Sequence, residues 1–309
     1  MAELAPRRLR TLDMTSPTEP DGEPWVSAAS GMVLAGDSLY IVADDELHLA
    51  RFAATGAAPG QWLRLFPGEL PAKKKPRKKA KPDTECIALL PPSGEAPGGT
   101  LLALGSGSGP ARRRAALLPL DAAGAPLGAI RQIDISATLT ALESQLPELN
   151  IEGLVARGSR VTLLHRGNKG GAPNAVVTLN LAALLSGHGA AEVAIRTVHL
   201  GHVDDVPLTL TDAEARPDGS LLFTAVAEAT DDRWQDGHCL GSAIGLMDAA
   251  GELRWLERLT PALKIEGIAT RQAGSELECL LVTDPDDRSE PASLYSLHIP
   301  AHGRAPRPV

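Results

Sequence analysis

Apolar positions in this chain come in short runs of Leu, Val, Ile and Ala, broken by Gly-, Pro- and Asp-containing turns about every 8 to 12 residues. That rhythm predicts successive β-strands rather than alternating strands and helices. Five stretches begin alike: ASGMVLAGDSLYIVADD from Ala29, TECIALLPPSGEAPGGTLLALGSGS from Thr84, IEGLVARGSRVTLLHRGN from Ile151, TDAEARPDGSLLFTAVAE from Thr211, and IEGIATRQAGSELECLLVTDPDD from Ile265. Each runs from a polar residue through an apolar strand, a Gly-containing turn and a second apolar strand to a polar cluster. Aligning Ser30, Glu85, Glu152, Asp212 and Glu266 gives spacings of 55, 67, 60 and 54 residues. One four-stranded antiparallel sheet fits that period, and its two apolar faces require copies stacked around an axis. The third copy predicts strands at 151–156, 161–165, 175–181 and 193–200.

The expected fold is therefore all-β: a β-propeller of five four-stranded blades, with six as the runner-up. One domain spans 1–309, its blades near 26–66, 84–135, 150–200, 209–260 and 264–299. After the strand at 293–299 the chain reads AHGRAPRPV, too rich in Pro and Gly for a fourth strand. RRLRTLDM, residues 7–14, is expected to supply that strand and close the ring, which removes an exposed sheet edge. The sixth blade of the runner-up would lie in one of two long stretches, 65–84 or 134–150. Residues 135–149 of the second carry apolar positions at helical spacing and read alternatively as a short helix between blades.

Composition narrows the classes. Aromatics are 3% of the chain, so a sugar platform paved with rings is not expected. No apolar run is long enough for a membrane-spanning helix, and no signal sequence is visible at the start, so a cytoplasmic monomer without membrane contact is expected. Cys86, Cys239 and Cys279 are far apart and read as buried thiols rather than a disulfide framework. The net charge is −8, yet residues 73–81 hold seven Lys or Arg, which leaves the remainder at −15. An acidic body disfavours nucleic acid as a partner. The basic run, placed in a loop at 70–82, reads as solvated chain in which like charges repel, with polyanion binding as a minor alternative.

Propeller topology brings two sets of residues to one rim: the starts of inner strands (Ser30, Glu85, Glu152, Asp212, Glu266) and the ends of second strands (Asp44, Asp45, Ser106, Ser108, Arg166, Asn168, Glu228, Asp284, Asp286, Asp287). Carboxylates crowded in one channel repel and need a cation among them. Glu85, Glu152, Asp212 and Glu266 are the expected metal ligands, and their hard oxygens favour Ca²⁺. Arg166 or Lys264 could instead supply the counter-charge, and the acids could instead lock blades by accepting neighbouring N–H groups. Glu152, Arg166 and His165 are the catalytic candidates, although a packed strand histidine is the plainer reading of His165. Arg112, Arg166, Asn168, Lys169, Ser106 and Ser108 are expected to bind substrate, because guanidinium groups pair well with phosphate or carboxylate. Salt bridges from Arg112, Arg113 and Arg114 to the acidic rim are the competing reading. The loop 231–242, with His238, Asp231, Asp232 and Asp236, is expected to be a lid plugged by Trp234. GxSxG and HExxH are both lacking, which disfavours an α/β-hydrolase and a zincin.

The set SGMVLAGDSLYIVADDE, KPDTECIALLPP, LALGSGSGPARRR, NIEGLVARGSRVTLLHRGN, DGSLLFTAVAE, DGHCLGSAIG and KIEGIA resembles an uncharacterised family of bacterial propellers of unknown function, over most of residues 20–299. The Glu152-Gly153 and Glu266-Gly267 pairs are also similar to phytase-like and esterase-like propellers and, more distantly, to gluconolactonase and paraoxonase types. That resemblance implies calcium-dependent hydrolysis of phosphate esters, esters or lactones at the channel mouth. The alternative is a non-enzymatic scaffold binding a peptide or small anionic molecule. Cys86 and Ala213 replace the Gly of the pair in two blades, and Ser30 replaces the acid in the first.

Overall fold

A computed structural model describes residues 3–167, 172–187, 192–229 and 237–301, apart from the side chain of Lys74. It contains five antiparallel sheets of at least four strands each. The strands of the first blade are Ala29–Ala35, Ser38–Ala43, His48–Ala53 and Gln61–Arg64, and of the second Thr84–Leu90, Thr100–Gly105, Arg114–Pro119 and Arg131–Asp134. The third comprises Ile151–Arg157, Arg160–His165, Asn174–Asn180 and Val193–Val198; the fourth, Val206–Ala215, Leu221–Ala229, His238–Met247 and Leu253–Leu259. The fifth has Ile265–Ala273, Glu276–Thr283 and Ser293–Pro300, and Arg7–Thr11 adds its outer strand, antiparallel, with Arg7 opposite Ser296. Glu3–Leu4 pairs in parallel with the outer strand of the fourth blade, so the first residues of the chain bind two blades together.

The inner strands neighbour one another in a closed circuit from first blade to fifth and back. Five apolar layers follow from this, each shared by two adjacent blades. The layer between second and third blades, for instance, joins Leu102 and Leu117 to Leu163 and Val177. Burial on both faces explains the near-continuous apolar runs, such as Ser38–Ala43, in which every residue is buried.

A sixth blade has no place. Its two candidate stretches, 65–84 and 134–150, hold helices instead, Lys74–Ala80 and Ser136–Glu143, the second burying Leu139 and Leu142 between blades as the alternative reading of its spacing had it. The first corrects the solvated loop expected at 70–82. Arg77 is only 4% exposed and Lys81 8%, because carboxylates on the rim neutralise charges that would repel in isolation.

Candidate functional site

Every inner strand carries a β-bulge near its start. In four blades the extra residue is Ser30, Glu85, Glu152 or Glu266, each slipped between two paired neighbours such as Ile151 and Gly153. A bulge re-aims one side chain without shifting the rest of the strand. These four polar residues line the channel mouth while the adjacent apolar residues stay in the layers between blades. Glycine follows in three of the four: at Gly31 and Gly267 the neighbouring inner strand comes close, and at Gly153 the Leu164 side chain of the same blade fills the space of a Cβ. A Cβ on Gly267 would lie 2.7 Å from Val282 Cγ2 and 3.2 Å from Gly31 Cα.

The fourth blade differs, and Asp212 does not join the others. Its bulge holds two residues, Thr211 and Asp212, opposite Thr224. The carboxylate of Asp212 turns into the wall, accepting hydrogen bonds from Ala213 N–H (2.8 Å) and from Ile268 N–H (3.0 Å) in the fifth blade. Burial raises its pKa against these bonds. Asp212 is the blade lock that the alternative reading described.

The mouth is a cavity of about 630 Å³ lined by ten carboxyl and seven basic side chains. Three buried cations organise it. Arg166, at the end of the third blade's second strand, reaches Glu228 (2.6 Å), Glu152 (3.4 Å) and Glu266 (3.4 Å), and its Nε donates to Thr209 Oγ1 (3.2 Å). Lys264 sits among Asp284 (3.1 Å), Glu266 (3.6 Å) and Asp286. Lys81 lies between Asp44 and Asp83, the latter at 2.9 Å. Burial works against all three cations, and the surrounding carboxylates outweigh it and hold each above its usual pKa. Arg77 pairs with Glu19 (2.6 Å) and Glu46 (3.3 Å), Arg112 with Asp83 (2.8 Å), and Arg288 with Asp45 (3.1 Å).

Excess carboxyl groups pay for this crowding in protons. Burial pushes Glu266 up to about 8 despite Arg166 and Lys264. Asp45 rises to about 7 through burial and its neighbours Asp44 and Glu46. Burial and then Glu152, Asp83 and Asp44 carry Glu85 well above the carboxylate range. Asp83 goes the other way: burial opposes ionisation, but Lys81, Arg112 and the Ser106 hydroxyl (2.6 Å) overcome it.

The other candidates fall as follows. His165 is fully buried behind the mouth, where its Nδ1 accepts the Asn150 N–H at 3.2 Å and burial lowers its pKa; it does not line the cavity. Ser106 and Ser108 also stand back from the cavity and brace Asp83 and Arg112 (2.6 Å to Ser108). Arg113 reaches outward to Thr140 and Glu143 on the helix Ser136–Glu143, and Arg114 is exposed on its strand. His238 is exposed at the start of its strand, away from the cavity. Asn168, Lys169, Asp231, Asp232, Trp234 and Asp236 lie outside the described residues.

Sequence reasoning missed Arg77, Lys81, Asp83, Asn150 and Arg288. The signal for the first two was the charge complement: a lone basic run in a chain whose remainder stands at −15.

The proposed calcium set does not fit as a unit. Asp212 is bonded into the wall, and the Arg166 guanidinium already bridges Glu152 and Glu266. Among the described residues, the carboxylate oxygens that do cluster, within 4.8 Å of one another, are those of Asp44, Asp83 and Glu85.

The same circuit of blades is found in proteins of distant sequence. A glutaminyl cyclase from Myxococcus xanthus is 12% identical, with a TM-score of 0.52, covering 96% of this chain and 97% of its own. An α-L-arabinofuranosidase from Podospora anserina, in complex with cellotriose, is 11% identical with a TM-score of 0.50, covering 96% and 97%. These likenesses establish the fold, and hydrolases are among its users. No curated protein matches the chain. The bulged inner strands and the residues that converge from them fall within 25–299, the stretch matched by the family of unknown function DUF6929, and it is to this family that the chain belongs.

Proposed function

We propose that the channel mouth is the active site of a hydrolase that cleaves a small ester or lactone by carboxyl acid–base chemistry, with Glu266 as general acid and Glu152 as general base. The observation that supports this reading is the unequal treatment of two carboxyls on one guanidinium. Both lie 3.4 Å from Arg166 Nη1. Glu152 has its other oxygen bonded by Asn150 Nδ2 at 2.5 Å, whereas Glu266 Oε2 has no hydrogen-bond partner among the described residues. A pKa of about 8 keeps the proton on Glu266 at neutral pH. Neighbouring carboxyls placed in unlike environments are the usual sign of an acid paired with a base.

In the reaction Glu152 takes a proton from water as the water oxygen bonds to the acyl carbon. The bond from that carbon to the leaving oxygen then breaks, and Glu266 gives its proton to the leaving oxygen. Arg166 supplies positive charge beside the developing oxyanion. An uncharged substrate suits the rim better than a phosphate ester or another anion, because Arg77, Lys81, Arg112, Arg166, Lys264 and Arg288 are each engaged by carboxylates.

Turnover of p-nitrophenyl butyrate and of a δ-lactone tests the assignment. Glu152→Gln and Glu266→Gln are each expected to lower kcat about 100-fold or more, and the wild-type rate to fall above pH 8 as Glu266 loses its proton. Wild-type rates in both variants, or no turnover by the wild type, remove it.

A second reading, calcium-assisted hydrolysis, is favoured by the Asp44, Asp83 and Glu85 oxygens. Calcium there must displace the Lys81 ammonium. Calorimetry on chelator-treated protein decides this reading, which ends if millimolar calcium gives no heat of binding.

A further inference from the structure

The four blades with a single bulged residue share one backbone bond at the mouth. In each, the residue after the second strand donates its N–H to the carbonyl two positions before the bulge: Asp44 to Ala28, Ser106 to Asp83, Arg166 to Asn150 and Asp284 to Lys264. Opposite the first residue of the inner strand stand Ala43, Gly105, His165 and Thr283. Here the third blade departs from the rest. His165 Nδ1 accepts the Asn150 N–H at 3.2 Å, so consecutive residues of one strand end grip Asn150 by its N–H and by its carbonyl. Ala43 and Gly105 have no side-chain acceptor to offer, and the Thr283 hydroxyl accepts the Ser293 N–H instead (3.1 Å).

The two blades treat their glutamates accordingly. Asn150 lines the mouth and gives its carboxamide to Glu152 Oε1, while Arg166 faces Glu152 Oε2 at 3.4 Å. In the fifth blade Lys264 takes the place of Asn150, approaches Glu266 Oε1 at 3.6 Å, and leaves Glu266 Oε2 without a hydrogen-bond partner among the described residues.

His165 is held at a cost. A neutral ring whose Nδ1 accepts carries its proton on Nε2, and Nε2 is buried with no hydrogen-bond partner among the described residues. Leucine at this fully buried position avoids that orphan. A buried polar group short of a bond needs a reason, and Nδ1 supplies one.

We propose that His165 is a positioning residue for the general base: its Nδ1 fixes the backbone of Asn150, and thereby the carboxamide that orients the Glu152 carboxylate. The role rests on the reading of Glu152 as the base, whereas the bonds from His165 through Asn150 to Glu152 are independent of any reaction.

Nitrogen-15 NMR of the substrate-free protein tests those bonds. At neutral pH the His165 ring is expected to carry its proton on Nε2, and a proton on Nδ1 overturns the proposal. Exchange of the Asn150 side-chain amide protons is expected to quicken about tenfold in His165→Leu and to return toward the wild-type rate in His165→Asn, whose Oδ1 replaces the Nδ1 acceptor. Equal exchange in all three proteins overturns it, and where His165→Leu does not fold, the wild-type tautomer decides. With p-nitrophenyl butyrate, His165→Leu is expected to lower kcat about tenfold or more with KM changed less than about twofold, and His165→Asn to recover most of the loss. Because His165 acts through Asn150, the same substitution in an Asn150→Ala background is expected to change kcat less than about twofold. An undiminished tenfold loss there overturns the proposal, as does a wild-type kcat in His165→Leu. If wild-type turnover is absent while the tautomer and exchange results hold, the reaction falls and the positioning of Glu152 by His165 stands.

Discussion

At the scale of single residues, the mouth depends on side chains that neutralise one another out of reach of water. Arg166 is 5% exposed and faces Glu152, Glu228 and Glu266 from three different blades. Removing one partner of a buried ion cluster strands the others. Arg166→Met is expected to cost about 3–5 kcal/mol in urea unfolding. Arg166→Lys should recover only part of that, because one ammonium cannot serve three carboxylates as a fork does. Asp212 contributes by a different route. Asp212→Ala orphans the N–H groups of Ile268 and Ala213, at about 1–3 kcal/mol each, while Asp212→Asn keeps an acceptor and should cost clearly less. Equal losses in the two variants would show that the N–H bonds are not what the carboxylate supplies.

At the scale of elements, the bulged start of each inner strand links sequence to site. The Glu-Gly pair was legible because it recurs, and its two parts have separate causes: the bulge turns the glutamate to the channel, and the glycine makes room for a second-strand side chain, Leu164 or Val282, and at Gly267 for the adjacent blade as well. Gly267→Ala should therefore destabilise by about 1–3 kcal/mol through overpacking against Val282 and Gly31, with no change at the carboxyl groups. An unchanged denaturation midpoint would contradict that close approach. The two-residue bulge at Thr211–Asp212 was not legible, since the same spacing of acid and strand hides a different register. Nor was the helix Lys74–Ala80. Local rules read seven like charges as solvated loop, and the acids that reverse this lie on the rim of the first blade and at Asp83. Intrinsic preference lost to a tertiary charge complement, which no window of adjacent residues contains.

At the scale of the whole molecule, the fold was readable from the period because five apolar layers demand five similar copies, while the electrostatic state of the channel emerges only from closure. Closure leaves carboxyls protonated well above their usual range: Asp45 and Glu214 to about 7 and Glu266 to about 8, burial being the first cause in each. These groups release protons on unfolding at neutral pH, since their ordinary values lie near 4. The unfolded chain then binds fewer protons than the folded one, so their contribution is fully present below about pH 4 and is lost as pH rises through 7 to 8. His165, held neutral by burial, acts oppositely, and only below about pH 6.5. The thermal midpoint is therefore expected to fall steadily from pH 6.5 to 8.5. Glu266→Gln, which keeps the shape of the protonated acid, should flatten that slope, and Asp45→Asn should flatten it further. A midpoint that holds constant or rises over this range would mean that the closed channel keeps its carboxyls ionised, and the general acid assigned to Glu266 would lose its proton at neutral pH.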